Sequence, residues 1–260
     1  MKALITGASS GIGRDIAREL AKLKYDLILV GRNVERLNEL KSELENNEKV
    51  STKIYSMDLS NKENVYNLFE QEKDIDLLVN NAGFGLYGEF TKTDLSKEVN
   101  MIDTNITALH ILMKLYLQEM IEENKGQILN VASIAGFMPG PLMATYYASK
   151  NYVVALSRAV HKELKKAKSN VKISVLCPGP VKTNFNNVAN IRFKIDGLSS
   201  QYVAKYTVKK MLKGKFIIIP GGIIKFVRAF SEVTPDAIKE EFSYYAQSIG
   251  KKSESERKWK

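Results

Sequence analysis

The chain has 260 residues, of which 44% are hydrophobic and 26% are charged, which is typical of one globular domain of ordinary size. Its formal net charge of +10 raises the question of a nucleic-acid partner, but the positive residues are mostly dispersed. Small basic clusters occur at 162–168 and in the last ten residues. We interpret them as a solvated helix face and a terminal tail, and we predict no nucleic-acid partner.

The N-terminus and the longest apolar runs bear on location. Met1 and Lys2 lead directly into an apolar strand and a glycine-rich turn, which leaves no room for the apolar region of a signal peptide. The nearest candidate for a membrane span, 216–230, is interrupted by proline, glycine and charged residues. The single cysteine, Cys177, lies in an apolar run and fits a reducing compartment. We expect a cytoplasmic protein without an integral membrane segment.

The first predicted elements are a short apolar strand, Lys2–Thr6, a glycine turn and an amphipathic helix from about Ile12 to Leu23. A strand, a glycine turn and a helix in this order bind a dinucleotide pyrophosphate on backbone N–H groups at the helix N-terminus. The spacing of Gly7, Gly11 and Gly13 differs from the commonest dinucleotide fingerprint. From these residues alone, a purely structural turn is almost equally plausible.

A second apolar strand, Asp26–Val30, completes a strand–helix–strand unit and favours a cofactor site. It ends in Gly31-Arg32-Asn33, where an acidic residue would bind the ribose hydroxyls of NAD, whereas an arginine can pair with the 2′-phosphate of NADP. Because no acid occurs at 31–33, the sequence favours NADP(H) over NAD(H). The alternative is that Arg32 is an ordinary surface residue ahead of the next helix.

Strands and helices continue to alternate along the chain. The next predicted strands are Val50–Met57, Ile75–Val79, Gln127–Ala132, Val171–Leu176 and Phe216–Ile219, and the predicted helices are 34–45, 62–71, 95–123, 145–167 and 199–212, with C-terminal helices to about 248. This order predicts an α/β fold, a Rossmann-type doubly wound parallel sheet of about seven strands. We expect a single domain, 1–260, in which 184–260 supplies a substrate lid and the C-terminal helices.

Tyr146 and Lys150 lie four residues apart at the start of helix 145–167, so they share one face, while Tyr147 is expected to point elsewhere. A cation fixed beside a phenol favours the phenolate, so the pair would exchange a proton at lower pH than a free tyrosine, whose pKa is about 10. Such a pair can act as a general acid and base. Taken alone, the spacing is more often an aromatic residue packed beside a solvated lysine, and the other motifs decide between these interpretations.

Six separated motifs resemble the short-chain dehydrogenase/reductase family in identity, order and spacing, from Lys2 to about Gly221. They are Thr6–Gly13, Asp58, Asn80–Gly83, Asn105, Ser133 with Tyr146 and Lys150, and Pro178–Thr183. The chain is similar to the compact reductases of that family, not to its longer sugar-nucleotide epimerases. The resemblance implies an NAD(P)-dependent oxidoreductase that interconverts a carbonyl and an alcohol.

The resemblance also implies a role for each of four candidate catalytic residues. Tyr146 would donate the proton in the reducing direction, and Lys150 would lower its pKa and hold the nicotinamide ribose. Ser133 would hydrogen-bond the substrate carbonyl. Asn105, which lies inside helix 95–123 where its side chain is unfavourable, would anchor a water that relays protons to Lys150.

Cofactor contacts follow from the same resemblance. Asp58 would bind the adenine amino group, and Asn81 and Gly83 would border the adenosine ribose. Val181 and Thr183 would hold the nicotinamide carboxamide. The predicted cofactor-binding residues are Gly7, Ser9, Ser10, Gly11, Ile12, Gly13, Arg32, Asp58, Leu59, Asn81, Ala82, Gly83, Tyr146, Lys150, Pro178, Gly179, Val181 and Thr183, and no metal site is predicted.

The substrate pocket is expected between the segments 84–90, 135–145 and 185–193. Their bulky side chains are Phe84, Leu86, Tyr87, Phe137, Met138, Leu142, Met143, Phe185, Ile191 and Phe193. An apolar lining suits a bulky hydrophobic ketone or aldehyde. The alternative is that several of these residues only pack the loops together.

Assembly and a rival function complete the predictions. Helices 95–123 and 145–167 carry more apolar positions than one sheet-facing stripe needs, which favours a homodimer or homotetramer. The apolar segment 222–230 could cover the substrate pocket, complete the subunit contact or rest on a membrane surface, and we favour the first two together. The rival to an enzyme is a protein that senses NADP(H) without turnover, and it would be expected to lack Ser133, Tyr146 or Lys150.

Overall fold

The computed structural model describes residues 1–183, 185, 189, 197–222, 224–226, 228 and 234–248. Its strands are β1 Lys2–Thr6, β2 Asp26–Gly31, β3 Thr52–Ser56, β4 Leu77–Asn80, β5 Gln127–Val131, β6 Lys172–Leu176, β7 Val181–Lys182, β8 Leu198–Ser199 and β9 Ile217–Ile218. Its helices are α1 Gly11–Lys22, α2 Val34–Glu48, α3 Lys62–Gln71, α4 Leu95–Ile102, α5 Leu109–Glu122, α6 Ala144–Lys166, α7 Ser200–Leu212 and α8 Asp236–Ser248.

Seven strands form one parallel sheet in the order β3-β2-β1-β4-β5-β6-β9, which confirms the predicted doubly wound α/β fold. Successive strand residues point to opposite faces, so Leu4 and Ile28 pack in one core layer while Ile5 and Leu29 pack in the other. Both faces are buried, as is usual for parallel strands. The strand order reverses direction at β1, so the crevice between the carboxyl ends of β1 and β4 is the place where such sheets bind ligands.

Two features of the fold differ from the predicted elements. The helix expected over 95–123 is interrupted by a π-helical segment, Asp103–Ala108, which contains Asn105. Just after the sheet's β6, the short strands β7 and β8 pair in parallel as a separate two-stranded sheet, which periodicity did not indicate. Much of the segment expected to be irregular, together with Ile191, Phe193, part of 222–230 and the basic tail, lies outside the described residues.

Candidate active site

A cavity of about 820 Å³ lies at the carboxyl ends of the sheet strands, where the switch in strand order predicts a ligand site. Of the predicted site residues, all but two line it. The exceptions are Gly13 and Asn105. Both lie behind the cavity wall and support residues that form it, as their contacts show.

The glycine turn after β1 is held tightly against Asn81. The Asn81 side-chain amide donates hydrogen bonds to the carbonyl oxygens of Thr6 and Gly7, at 2.9 and 3.1 Å. A Cβ atom at Gly13 would collide with that amide and with the Gly7 carbonyl oxygen. Gly7 also has a φ of +66°, which side chains other than glycine rarely adopt. Glycine is therefore required by close approach at Gly13 and by conformation at Gly7.

The N-terminus of α1 opens into the cavity without a side-chain cap. Asn33, Asn61, Asp94 and Ser199 cap α2, α3, α4 and α7 by accepting a backbone N–H bond, but Ser10 forms no such bond at α1. The first N–H groups of a helix have no intrahelical partner and attract anions. The uncapped turn therefore fits a dinucleotide pyrophosphate.

Arg32 lines the same end of the cavity, directly after β2. Its guanidinium lies 3.9 Å from Asp58 Oδ2, and 65% of its side chain is exposed. The other Asp58 carboxylate oxygen accepts the backbone N–H of Ser60 at 2.9 Å, which fixes the orientation of the carboxylate. An exposed ion pair of this length is weak, so Arg32 is free to pair with a phosphate instead.

Tyr146, Lys150 and Ser133 meet at the centre of the cavity. Tyr146 and Lys150 are buried on the first turns of α6, with the Lys150 ammonium 5.8 Å from the centre of the Tyr146 ring. Lys150 Nζ donates a 3.0 Å hydrogen bond to the carbonyl oxygen of Val131 at the end of β5. Ser133 follows that strand and lines the same cavity, with its hydroxyl near enough to the Tyr146 phenol to favour the phenolate. The geometry thus joins the three residues across two elements.

Burial raises the pKa of the Tyr146 phenol well above its usual range, and the nearby Ser133 hydroxyl opposes this only in part. The expectation that Lys150 lowers the pKa of Tyr146 stays a prediction. Burial also lowers the pKa of Lys150 to about 8. Desolvation disfavours the charged form of both groups and is the largest cause of both shifts. Tyr146 is therefore protonated at neutral pH, the form that a proton donor requires.

Asn105 supports the wall behind Lys150. Its side chain exchanges two hydrogen bonds with the backbone of Phe84, at 3.0 and 2.9 Å, and donates a third to Ser149 Oγ at 3.1 Å. A Cβ atom at Gly83 would lie 2.8 Å from Asn105 Oδ1 and 3.4 Å from Lys150 Nζ. The π-helical segment that holds Asn105 is a local distortion often found at functional sites.

The prediction that Tyr147 points away from the shared space is wrong. Tyr147 also lines the cavity, and its ring centre lies 6.1 Å from that of Tyr146. The reason is that the first turn of α6 lies in the cavity wall, where it meets α8. There Gln247 Nε2 donates a 2.5 Å hydrogen bond to Tyr147 Oη. Sequence reasoning missed Gln247 and Ser243, which line the cavity from α8.

The predicted apolar walls divide into two groups. Phe84, Met138, Met143 and Phe185 line the cavity. Leu86 and Tyr87 pack around the small core cluster that contains Tyr146, and Phe137 packs against the main core, so the alternative of loop packing holds for these three. Ile224, in the segment predicted as a lid, also lines the cavity.

The family model of the short chain dehydrogenases matches residues 1–192 of this chain. The chain belongs to the short-chain dehydrogenase family. An uncharacterized oxidoreductase of Staphylococcus epidermidis is 35% identical over 185 residues, which cover 70% of this chain and 78% of that protein. This short-chain dehydrogenase is accordingly an NAD(P)-dependent oxidoreductase.

Solved structures share the fold of this short-chain dehydrogenase. A short-chain dehydrogenase from Sphingobium yanoikuyae in complex with NADPH has a TM-score of 0.80 at 24% identity, covering 91% of this chain and 97% of the other. The bulky-bulky ketone specific alcohol dehydrogenase from Comamonas testosteroni has a TM-score of 0.76 at 25% identity, with coverage of 91% and 95%. Both likenesses extend over nearly the whole chain.

Two surface properties bear on the predicted partners. None of the helices in the described part of the chain is both long enough and apolar enough to cross a membrane. The apolar positions expected to form a second buried face pack against the main core instead: Leu112, Met120, Val153 and Val154 belong to it, and Leu115, Leu117, Leu156 and Val160 are half-buried against it. Large exposed apolar side chains lie on all three neighbouring helices: Leu95, Val99 and Ile102 on α4, Ile121 on α5 and Tyr152 on α6.

Proposed function

We propose that the protein is an NADP(H)-dependent reductase of bulky apolar ketones or aldehydes, in which Tyr146 is the proton donor. The observation that carries the proposal is the buried Tyr146 phenol, which shares with Ser133 a cavity that also contains an uncapped helix N-terminus. One cavity thus joins a dinucleotide site to an acid. The whole chain is proposed as one domain, with the segment after residue 184 as lid and C-terminal helices.

The bound nicotinamide would supply the hydride that reduces the carbonyl carbon. The chain's own residues handle the charge that develops on the carbonyl oxygen. Ser133 Oγ and Tyr146 Oη are two fixed hydroxyl groups that can donate hydrogen bonds to this oxygen, and Tyr146 passes its proton to it. Lys150, whose pKa of about 8 leaves it largely protonated at neutral pH, can return a proton to Tyr146. Asn105 is proposed to anchor the water that connects Lys150 to solvent.

The remaining site residues are proposed to bind the cofactor. Backbone N–H groups of the glycine turn and of α1 hold the pyrophosphate, and Arg32 pairs with the 2′-phosphate. Asp58 is proposed to bind the adenine amino group. The absence of an acid at 31–33 and the exposed position of the Arg32 guanidinium support NADP(H) over NAD(H).

The substrate class is proposed from the other end of the cavity. Phe84, Met138, Met143 and Phe185 give it a mainly apolar wall around Tyr146. Such a wall favours a bulky hydrophobic carbonyl compound over a charged metabolite. The similarity to an alcohol dehydrogenase that is specific for bulky-bulky ketones supports the same class.

A panel of bulky ketones and aldehydes tests the proposal, with NADPH consumption followed by absorbance. We expect turnover of several members, faster with NADPH than with NADH. If NADPH binds and no carbonyl compound is reduced, the protein is a sensor of the cofactor and the proposal fails. We also propose that the protein is a homodimer and that it is located in the cytoplasm. Light scattering with size exclusion checks the oligomeric state, and a monomer at micromolar concentration would refute the dimer.

A further inference from the structure

The substrate end of the cavity contains a polar patch that the proposed reaction does not use. Ser243 and Gln247 lie four residues apart on α8, so they share one face, and both line the cavity. Only 2% of Ser243 and 3% of Gln247 is exposed. A helix that merely covered an apolar pocket would be more stable with apolar side chains at these positions. The two polar residues therefore call for a separate explanation.

Gln247 is held in one orientation by two tyrosines. Its Nε2 donates to Tyr147 Oη at 2.5 Å, and its backbone carbonyl oxygen accepts a 3.4 Å hydrogen bond from Tyr87 Oη. The amide nitrogen has a protein partner in Tyr147, whereas the amide oxygen has none among the described residues and is available to a ligand. Tyr147 stands next to the proton donor Tyr146 in sequence and contacts it in space, so the amide lies within the same pocket.

Two polar atoms of this patch are buried without a partner. Among the described residues, neither Gln247 Oε1 nor Ser243 Oγ has a hydrogen-bond partner. A buried acceptor without a donor costs free energy, which a ligand that supplies the donor recovers. Gln247 Oε1 can only accept, whereas Ser243 Oγ can both donate and accept. The group that satisfies both atoms must therefore contain an O–H or N–H donor.

We infer that Gln247, oriented by Tyr147 and assisted by Ser243, binds a hydroxyl or N–H group that the substrate carries away from its carbonyl. The inference rests on the proposed function and narrows its substrate class. The substrate is a bulky ketone or aldehyde with an apolar body and a neutral hydrogen-bond donor at a distance from the reacting carbon. Both α8 residues act as specificity-determining residues and take no part in the proton transfer.

Three matched ketones test the subsite: benzylacetone, its para-hydroxy derivative and its para-methoxy derivative. Each is titrated by calorimetry into the protein in the presence of NADP⁺, because a ketone and an oxidised cofactor cannot react and binding is then measured apart from turnover. We expect the para-hydroxy ketone to bind roughly fivefold to tenfold more tightly than the other two, as for one added neutral hydrogen bond. The para-methoxy group has a similar size but no donor.

Three variants locate the effect. In Gln247→Met the difference between the three ketones should vanish, whereas Gln247→Glu keeps an acceptor and should keep the preference. Tyr245→Phe changes the exposed face of the same helix and should leave the preference as it is. NADPH binding and thermal unfolding of each variant confirm that it is folded.

Each outcome decides the matter. Equal binding of the three ketones, tighter binding of the para-methoxy ketone, binding of none of them, or a preference that persists in Gln247→Met would overturn the inference. A preference in binding without NADPH-dependent reduction would instead overturn the proposed function and leave the subsite standing. Reduction of all three ketones without a preference in binding would overturn the subsite and leave the proposed function standing.

Discussion

The two ends of the cavity are built differently. At the cofactor end, the wall is mainly backbone: the glycine turn, the uncapped start of α1 and the carboxyl ends of β1 and β4, held together by Asn81. At the substrate end, the wall is mainly side chains from separate parts of the chain, and Gln247 of α8 meets Tyr147 across a separation of 100 residues. Backbone built into a sheet tolerates little change, whereas side chains on an added helix can be replaced singly.

This difference explains how much of the protein could be predicted from its sequence. Strands, helices and the cofactor motifs leave local signals, such as apolar periodicity and the spacing of Gly7, Gly11 and Gly13, and the seven-stranded sheet was predicted from them. The π-helical segment was not, because it depends on hydrogen bonds between Asn105 and the distant backbone of Phe84.

The substrate end was only partly predictable for a similar reason. Helical spacing predicts the direction of Tyr147 relative to Tyr146. It does not predict which parts of the fold pack around the first turn of α6, and these decide that Tyr147 also lines the cavity. The contribution of Ser243 and Gln247 arises from tertiary packing of α8, and a serine and a glutamine in an amphipathic helix give no signal of burial. Likewise, burial set the pKa of Tyr146, and burial depends on the complete fold.

The largest expected effect is at the junction of the two ends. Tyr146→Phe removes the proton donor and keeps the ring, so turnover should fall by about 10²-fold or more, while NADPH affinity changes little. Tyr152→Phe is the matched control, because Tyr152 lies on the same helix but bonds His110 at its exposed surface. Steady-state kinetics and NADPH titration check both. Turnover by Tyr146→Phe close to that of the native protein would sink the assignment.

Arg32 tests the cofactor end by charge. Arg32→Asp replaces an attractive contact to the 2′-phosphate with a repulsive one and offers the ribose an acceptor, so the ratio of NADPH to NADH affinity should fall by about tenfold to a hundredfold. Arg32→Gln removes the charge without repulsion and should give an intermediate ratio. Fluorescence titration with each cofactor measures it. An unchanged ratio in both variants would make Arg32 an ordinary surface residue.

Gly13 tests the cofactor end by shape. Gly13→Ala places a Cβ atom against the Asn81 amide and the Gly7 carbonyl oxygen, so we expect destabilisation of about 1–3 kcal/mol from overpacking. NADPH affinity should fall by about tenfold, since the turn that holds the pyrophosphate shifts. Gly222→Ala is the control, because a Cβ atom there meets nothing within 4 Å. Equal losses in the two variants would contradict the tight packing of the turn.

A further prediction concerns the pH dependence of stability, to which the cavity contributes through the burial of Lys150. Burial lowers the pKa of Lys150 from 10.5 to about 8, so between these pH values the unfolded chain binds a proton that the folded chain has released. Lys150 therefore makes the free energy of unfolding rise with pH between about pH 8 and 10.5. Below about pH 8, the buried charge of Lys150 destabilises the folded chain by its full amount. In Lys150→Met this contribution is absent, while the lost bond to Val131 adds a constant offset. Denaturant unfolding at several pH values gives the free energy of unfolding of the native protein and of Lys150→Met as a function of pH. The difference between the two proteins should change only between about pH 8 and 10.5, and a constant difference would refute the burial of a charged Lys150.

The most direct test of the central claim follows the label from NADPH that carries deuterium at both hydrogen positions of the reactive nicotinamide carbon. With a bulky ketone from the panel that is turned over, mass spectrometry should find the deuterium on the carbinol carbon of the alcohol, one for each NADPH consumed. The rate of this transfer should fall by about 10²-fold or more in Tyr146→Phe, which still binds NADPH. Oxidation of NADPH without label in the alcohol, or an equal rate of transfer by Tyr146→Phe, would contradict the account of this cavity as a carbonyl reductase site.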